Sequence, residues 1–193
     1  AKAAFRVGAV SGTQWDDVSV GAASTATGYD TVASGTASTA MGFTTVASGS
    51  YSTATGFSST ASGAFSTALG YGARALGEAS TALGVGTTAN GPSSTALGAN
   101  TTAGSYSTAL GNGTTASGFY STAMGRRTTA GGTSSTAMGF DTIAAGAYST
   151  VFGNTSLAAG SGSLVAGTAS SATGVDAIAL GVRVAANGTG SVV

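Results

Sequence analysis

The sequence predicts an all-β chain wound as a parallel β-roll solenoid of 14-residue coils, with two short strands per coil. Three observations predict it. A glycine returns at a fixed short period, small and larger side chains alternate at strand spacing, and the composition is too poor in charge and bulk for an ordinary globular core. A fixed short period marks stacked structural units that contact only their neighbours.

The period is read from Gly21, Gly35, Gly49, Gly63, Gly77, Gly91, Gly104, Gly118, Gly132, Gly146, Gly160, Gly174 and Gly188: eleven intervals of 14 residues and one of 13. The composition, 33 glycines, one proline, no cysteine, no histidine and only 6% charged residues, resembles low complexity, but the strict register argues for order.

One unit, Gly35 to Ser48, shows how a coil forms. It divides into halves of seven, the first reading Ser-Thr-Ala-x-Gly and the second Thr-x-Ala-x-Gly, each giving about five residues of strand and two of turn. Alternation points Ser38, Ala40 and Gly42 to one face and Thr39 and Met41 to the other; in the second half Thr45, Ala47 and Gly49 oppose Val46 and Ser48. The inward alanines recur as Ala26, Ala40, Ala54, Ala68, Ala82, Ala96, Ala109, Ala123 and Ala137, then Val151 and Val165, with a second series from Ala33 to Ala89. Two rows of such small side chains imply two closely spaced sheets. Glycines at the strand ends serve tight turns, and ladders between neighbouring coils are expected to satisfy the buried hydroxyls.

The outward rows differ. Before the first-half glycine stand Met41, Leu69, Leu83, Leu97, Leu110, Met124, Met138, Phe152 and Leu180, interrupted by Thr27, Thr55 and Ala166. Before the second-half glycine stand small or polar residues such as Ser34, Ser48, Asn90, Ala103 and Ser117. An apolar stripe running along the roll is costly to leave in water and is expected to be buried against copies of the same chain, in a parallel, axis-aligned homo-oligomer.

The ends depart from the period. Residues 1–20 are expected to form an irregular N-terminal cap in which Trp15 covers the first coil. Residues 21–188 form the roll of about twelve coils, and 189–193 its C-terminal end. The 91–103 unit, which contains Pro92, is one residue short and is expected to tighten a turn without breaking the stack.

These repeats resemble the YadA-like head of trimeric autotransporter adhesins, whose units are built on Ser-Val-Ala-Ile-Gly followed by a shorter x-Ala-x-Gly half. Ser24-Thr25-Ala26-Thr27-Gly28, Ser66-Thr67-Ala68-Leu69-Gly70 and Ala177-Ile178-Ala179-Leu180-Gly181 match in position, and the likeness covers about residues 21–188. Thr usually replaces the family's Val, and Met or Leu its Ile, with β-propensity kept. The resemblance implies a left-handed roll, a homotrimer, and a place on the bacterial cell surface, anchored in the outer membrane through a C-terminal region that this sequence does not contain. It also implies attachment to a host extracellular-matrix protein or cell-surface ligand, and autoaggregation.

Two aromatic positions are the candidate contact residues. Tyr29, Phe43, Phe57, Tyr71 and Phe140 follow the first-half glycine; Tyr51, Phe65, Tyr106, Tyr120 and Tyr148 lie two after the second-half glycine. Both are read as turn positions on the edges of the roll. They either grip an extended host protein or glycan, or pack in the seam between subunits, the second being favoured. Arg126 and Arg127 are expected to be a solvated pair, or to meet Asp141 one coil later.

Chemistry finds little footing. No histidine or cysteine is available for acid–base work or metal binding, and the six acids are scattered, so no catalytic residue, metal site or cofactor is expected. Gly84-x-Gly86 and Gly111-x-Gly113 lack a third glycine and a following helix for phosphate binding. A zero net charge predicts no nucleic-acid partner, and no membrane contact by this segment is expected. Besides an adhesin head, two other functions fit a solenoid. One is an ice-binding array, for which Thr25/Thr27 and Thr53/Thr55 qualify while Met, Leu and Phe interrupt it elsewhere; the other is a structural shaft or spacer of a fibre.

Overall fold

A computed structural model describes residues 2–193; Ala1, the first residue of the expected cap, lies outside the described residues. The fold is an all-β parallel solenoid of about twelve 14-residue coils; among the described residues the single helical piece is a 3-10 turn, Asp17–Ser19. The chain divides into two compact units, one ending at Ala99 and the other spanning Asn100–Val193.

In the first unit the long strands are Phe5–Ala9, Thr25–Tyr29, Thr39–Phe43, Thr53–Phe57, Thr67–Tyr71, Thr81–Val85 and Thr95–Ala99, each paired in parallel with the next. A second layer holds the two-residue strands Val32–Ala33, Val46–Ala47, Thr60–Ala61, Arg74–Ala75 and Thr88–Ala89. The second unit repeats the pattern. Its long strands are Thr108–Asn112, Thr122–Arg126, Thr136–Phe140, Thr150–Asn154, Leu164–Thr168 and Ile178–Val182. Its short strands run from Thr102–Ala103 to Ala185–Ala186. The expectation of five strand residues in both halves is therefore corrected for the second. There, the backbone turns directly after the inward alanine: the amides of Ser48 and Gly49 both donate to Ala61 O, at 3.0 and 3.2 Å, and the chain enters the corner.

The core is as small as the alternation predicts. Both alanine columns are fully buried, as are Val151 and Val165. The serine before most of the long strands is buried too; Ser107 Oγ reaches Ala116 O of the next coil at 2.8 Å as expected and Ser66 and Ser135 have no partner, but most differ from the expected inter-coil ladder. Ser38 Oγ donates to Gly35 O at 2.7 Å and Ser121 Oγ to Gly118 O at 2.7 Å, three residues back in the same coil. The hydroxyl thus closes its own corner. Thr31, Thr45, Thr87, Thr101, Thr114, Thr128 and Thr142 form a buried column whose Oγ1 atoms have no partner, although Ser59 and Ser170 at equivalent places donate to Gly70 O and Gly181 O at 2.8 and 2.9 Å.

Sterics fix the glycines. A Cβ on Gly42 (φ 119°) would overlap the carbonyl oxygen of Gly56, and a Cβ on Gly35 that of Gly49. Most coils therefore exclude side chains at two places because the next coil's backbone fills them; at Gly104 the nearest atom, Ser117 O, stands 3.2 Å away. Both corners also need a left-handed residue, which here is often not glycine: Ala37 (φ 53°) and Thr44 (φ 52°) donate their amides to Ala22 O and Tyr29 O of the preceding coil, each at 2.8 Å. Those bonds offset a conformation that costs an L-residue roughly 1–2 kcal/mol.

The N-terminal segment departs from an irregular cap. Phe5–Ala9 is a regular strand in register with Thr25–Tyr29, at an offset of 20 residues instead of 14. Its Gly8 meets the same steric demand from Gly28. Arg6 occupies the inward column of Ala26; its two terminal guanidinium nitrogens donate to Ser24 O, Ser24 Oγ and Ala33 O at 3.1, 2.7 and 3.2 Å, closing the end of the core, while its buried Nε has no partner. The extra residues form a side loop, tied down by Ser11 to the Asp30 carboxylate and by Trp15 Nε1, which donates to Thr31 O at 3.2 Å. At the other end the ladder continues past Gly188, with Leu180 N donating to Val193 O at 2.8 Å.

The short unit resolves differently from expectation as well. Ala103 is not an outward residue but a member of the buried alanine column, paired with Ala116. The missing residue is the outward one before Gly104, so the tightened turn lies between Ala103 and Thr108, at the end of the 91–103 unit. Pro92 takes the second place of an ordinary corner, just before Ser93 (φ 50°). In the equivalent corners the amide at that place has no backbone partner, so proline forfeits nothing.

Candidate interaction surfaces

The long strands present a sheet face of two outward columns. One is threonine (Thr39, Thr53, Thr67, Thr81), mostly half-buried; the other carries the apolar stripe. Met41, Leu69 and Phe152 are each 42% exposed and Leu180 52%, with Leu83 and Met124 also exposed, while Leu97, Leu110 and Met138 are half-buried. Register aligns them: Leu69 with Leu83 and Leu83 with Leu97 in the first unit; Leu110, Met124, Met138 and Phe152 in succession in the second. The short-strand face adds Ile143, 43% exposed, which the reading of the row before each glycine missed because a two-residue strand shows its one outward side chain earlier.

The aromatics lie on the two opposite corners of each coil. Tyr29, Phe43, Phe57 and Tyr71 are not turn residues but the last residues of their long strands. They form one ladder, centroids 5.0 Å apart at each step and planes within 11°. We call this corner the strand edge. Tyr51, Phe65, Tyr106, Tyr120 and Tyr148 do lie in turns, all with φ of 56–59°, on the corner preceding each long strand, the turn edge. Tyr51 stacks on Phe65 at 5.2 Å; Tyr106 and Tyr120 are tilted at 5.2 Å and share Phe119, a residue missed in sequence because it sits one place off the column. Tyr148 has no ring partner among the described residues. In the strand-edge ladder the ring faces cover one another, so neighbours are offered mainly ring edges, a ridge suited to packing and not a row of open faces for sugars.

Phe140 is placed apart from that ladder. Arg126 and Arg127 hold their guanidinium carbons 5.3 and 5.1 Å from its centroid. Arg127 also makes a two-pronged pair with Asp141 one coil on, the alternative to a solvated pair that the sequence offered. The side-chain hydrogen bond from Arg127 holds the Asp141 carboxyl below its usual range and raises the Arg127 guanidinium in turn. The Arg126 side chain makes no hydrogen bond or ion pair among the described residues.

No pocket and no cluster of metal-ligating side chains occurs among the described residues, and none of their helices is long and apolar enough to cross a membrane. The arrangement offers extended ridges and faces for macromolecular packing. The sequence matches the profile of the YadA head domain repeat (2 copies) over residues 19–45, 33–59, 47–73, 75–101, 103–128, 130–156 and 158–183. No curated protein matches it significantly.

Proposed function

Because this chain belongs to the YadA head domain repeat family, a structural adhesin family and not an enzyme family, we propose that it is the head segment of a homotrimeric bacterial surface adhesin. In this reading the head attaches to a host extracellular-matrix protein or cell-surface ligand and also promotes autoaggregation. The long protein that carries it is anchored in the outer membrane through a C-terminal region, and the rolls are left-handed, as in the family.

The observation that carries the assembly is the exposed stripe on the long-strand face of each unit, Met41, Leu69 and Leu83 in the first and Met124, Phe152 and Leu180 in the second. Fully burying such a side chain is worth about 1.5–3 kcal/mol, and three parallel copies turn the stripe into a shared core. Trp15 is proposed to cover the first coil, with residues 21–188 as the body of the head. Attachment then rests on many weak contacts repeated by symmetry, which add through avidity and need no deep pocket.

Two measurements test this. Sedimentation equilibrium is expected to give three times the chain mass; a stable folded monomer would overturn the trimer. The purified trimer is expected to retain on immobilised matrix proteins or cultured cells, and failure to bind any of them or itself would overturn the adhesive role.

A further inference from the structure

The two edges of the roll carry exposed groups whose contacts inside one chain leave them open to a partner. Arg126, on the strand edge, lies over its own Phe140 ring and makes no ion pair, Asp141 being engaged by Arg127. Asp176 and Arg183, both exposed, make no ion pair among the described residues, and lie on opposite corners of one coil, Asp176 on the turn edge and Arg183 just past the strand edge. Exposed rings behave alike. Tyr51 precedes the long strand that ends in Phe57, and Phe65 the one that ends in Tyr71. Phe119 and Tyr120 precede the strand that ends in Arg126. Every one of these pairs shares a coil but sits on its two far corners, out of reach of its mate.

Rotational symmetry brings such corners together. In a ring of parallel copies the contact is heterologous, one edge of a copy against the other edge of the next, and rotation about an axis along the roll leaves height unchanged. Residues of the same coil then meet. This rests on the trimeric reading above. We propose that the strand edge of each copy packs on the turn edge of the next, coil against like coil. Arg126 then lies against Phe119 and Tyr120 of the partner subunit, and Arg183 pairs with the partner subunit's Asp176. Phe57 and Tyr71 meet the rings at 51 and 65 of the neighbouring copy.

The chemistry at each level is complementary: ring ridge on ring, guanidinium on ring, guanidinium on carboxylate. A slip by one coil in one direction would set Arg126 against Thr133 and Ser134 and Asn112 against the ring pair; in the other it would set Arg126 against Ser105 and Tyr106; either slip would leave Arg183 without Asp176. The Arg183–Asp176 pair therefore fixes axial register, which the ring ladders and a stripe of similar Leu and Met side chains do not. The aromatic ladders then serve the seam and not a host ligand.

The absence of cysteine makes the test direct. Phe119→Cys and Arg126→Cys are introduced singly and together, neither at a left-handed residue, and treated with a short bifunctional maleimide. The double variant is expected to give covalent dimers and trimers on a denaturing gel, whereas each single variant stays monomeric. A double variant of trimeric mass that yields no linked species, or single variants that link equally well, would overturn the edge pairing while leaving the trimer standing. A monomeric wild-type mass would instead remove the assembly itself. Independently, Asp176→Arg is expected to weaken association about tenfold through like-charge contact at three seams, and adding Arg183→Asp to restore most of it. A swap that restores nothing would overturn the proposed ion pair.

Discussion

At the scale of single residues the fold is governed by what has no room. Gly42→Ala places a methyl group where the Gly56 carbonyl already lies and imposes φ of 119° on an L-residue. Loss of several kcal/mol is expected, read as a collapse of the thermal transition. The buried threonines point the other way. Thr128 Oγ1 is buried without a partner, so Thr128→Val is expected to be neutral or to stabilise by about 1 kcal/mol in urea unfolding. Ser121→Ala, which deletes a bond to Gly118 O, is expected to cost about 1 kcal/mol. A destabilised Thr128→Val would show that the hydroxyl is satisfied. Charge enters through the Arg127–Asp141 pair. Since Arg127 lowers the Asp141 carboxyl, the pair contributes above the ordinary carboxylate range and its contribution is lost as pH falls through that lowered value. Asp141→Asn is expected to flatten the acid limb of the stability profile, and an unchanged limb would deny the coupling.

At the scale of the coil, the two corners obey different rules. Thr133 has the place that Pro92 occupies elsewhere, and its amide has no backbone partner, so Thr133→Pro is expected to be tolerated or to stabilise by up to about 1 kcal/mol. Ser134, one residue on, has φ of 54° and donates to Phe119 O at 2.7 Å; Ser134→Pro is expected to destabilise by several kcal/mol, about 3 or more. Equal tolerance at both would deny the turn assignment. Coil architecture of this kind was legible in the sequence because the 14-residue period fixes register and the alternation fixes faces. Ala40 and Ala47 read as inward, and are. What escaped was set by backbone geometry that side-chain patterns do not encode. The second half shortens to two strand residues because its corner begins early, and Ala103 counts inward because the deletion falls just after it. The first coil was hidden by an offset of 20 and by Arg6 standing in an alanine's place. Of the candidate contact residues, the two columns were legible, but not that Tyr29 to Tyr71 cover one another's faces, since stacking depends on rotamers.

At the scale of the whole molecule, stability is expected to scale with coil number, because each coil meets only like neighbours. Deleting residues 136–149, one full period, rejoins Ser135 to Thr150 in register. The shortened protein is expected to fold with the same β-sheet circular dichroism and a modestly lower unfolding midpoint. Deleting only seven residues sets a short strand on a long one and is expected to abolish cooperative unfolding; similar behaviour of the two deletions would refute nearest-neighbour stacking.

The two alanine columns also bear on temperature. Heat-capacity change on unfolding rises with apolar area exposed and falls with polar area exposed. A core of methyl groups, hydroxyls and backbone amides releases little of the first and much of the second. Per residue, the heat-capacity increment of the isolated roll is expected to fall below the usual 12–15 cal/mol/K or so. The stability curve is then broad and shallow, so that unfolding free energy changes little over a wide span of temperature.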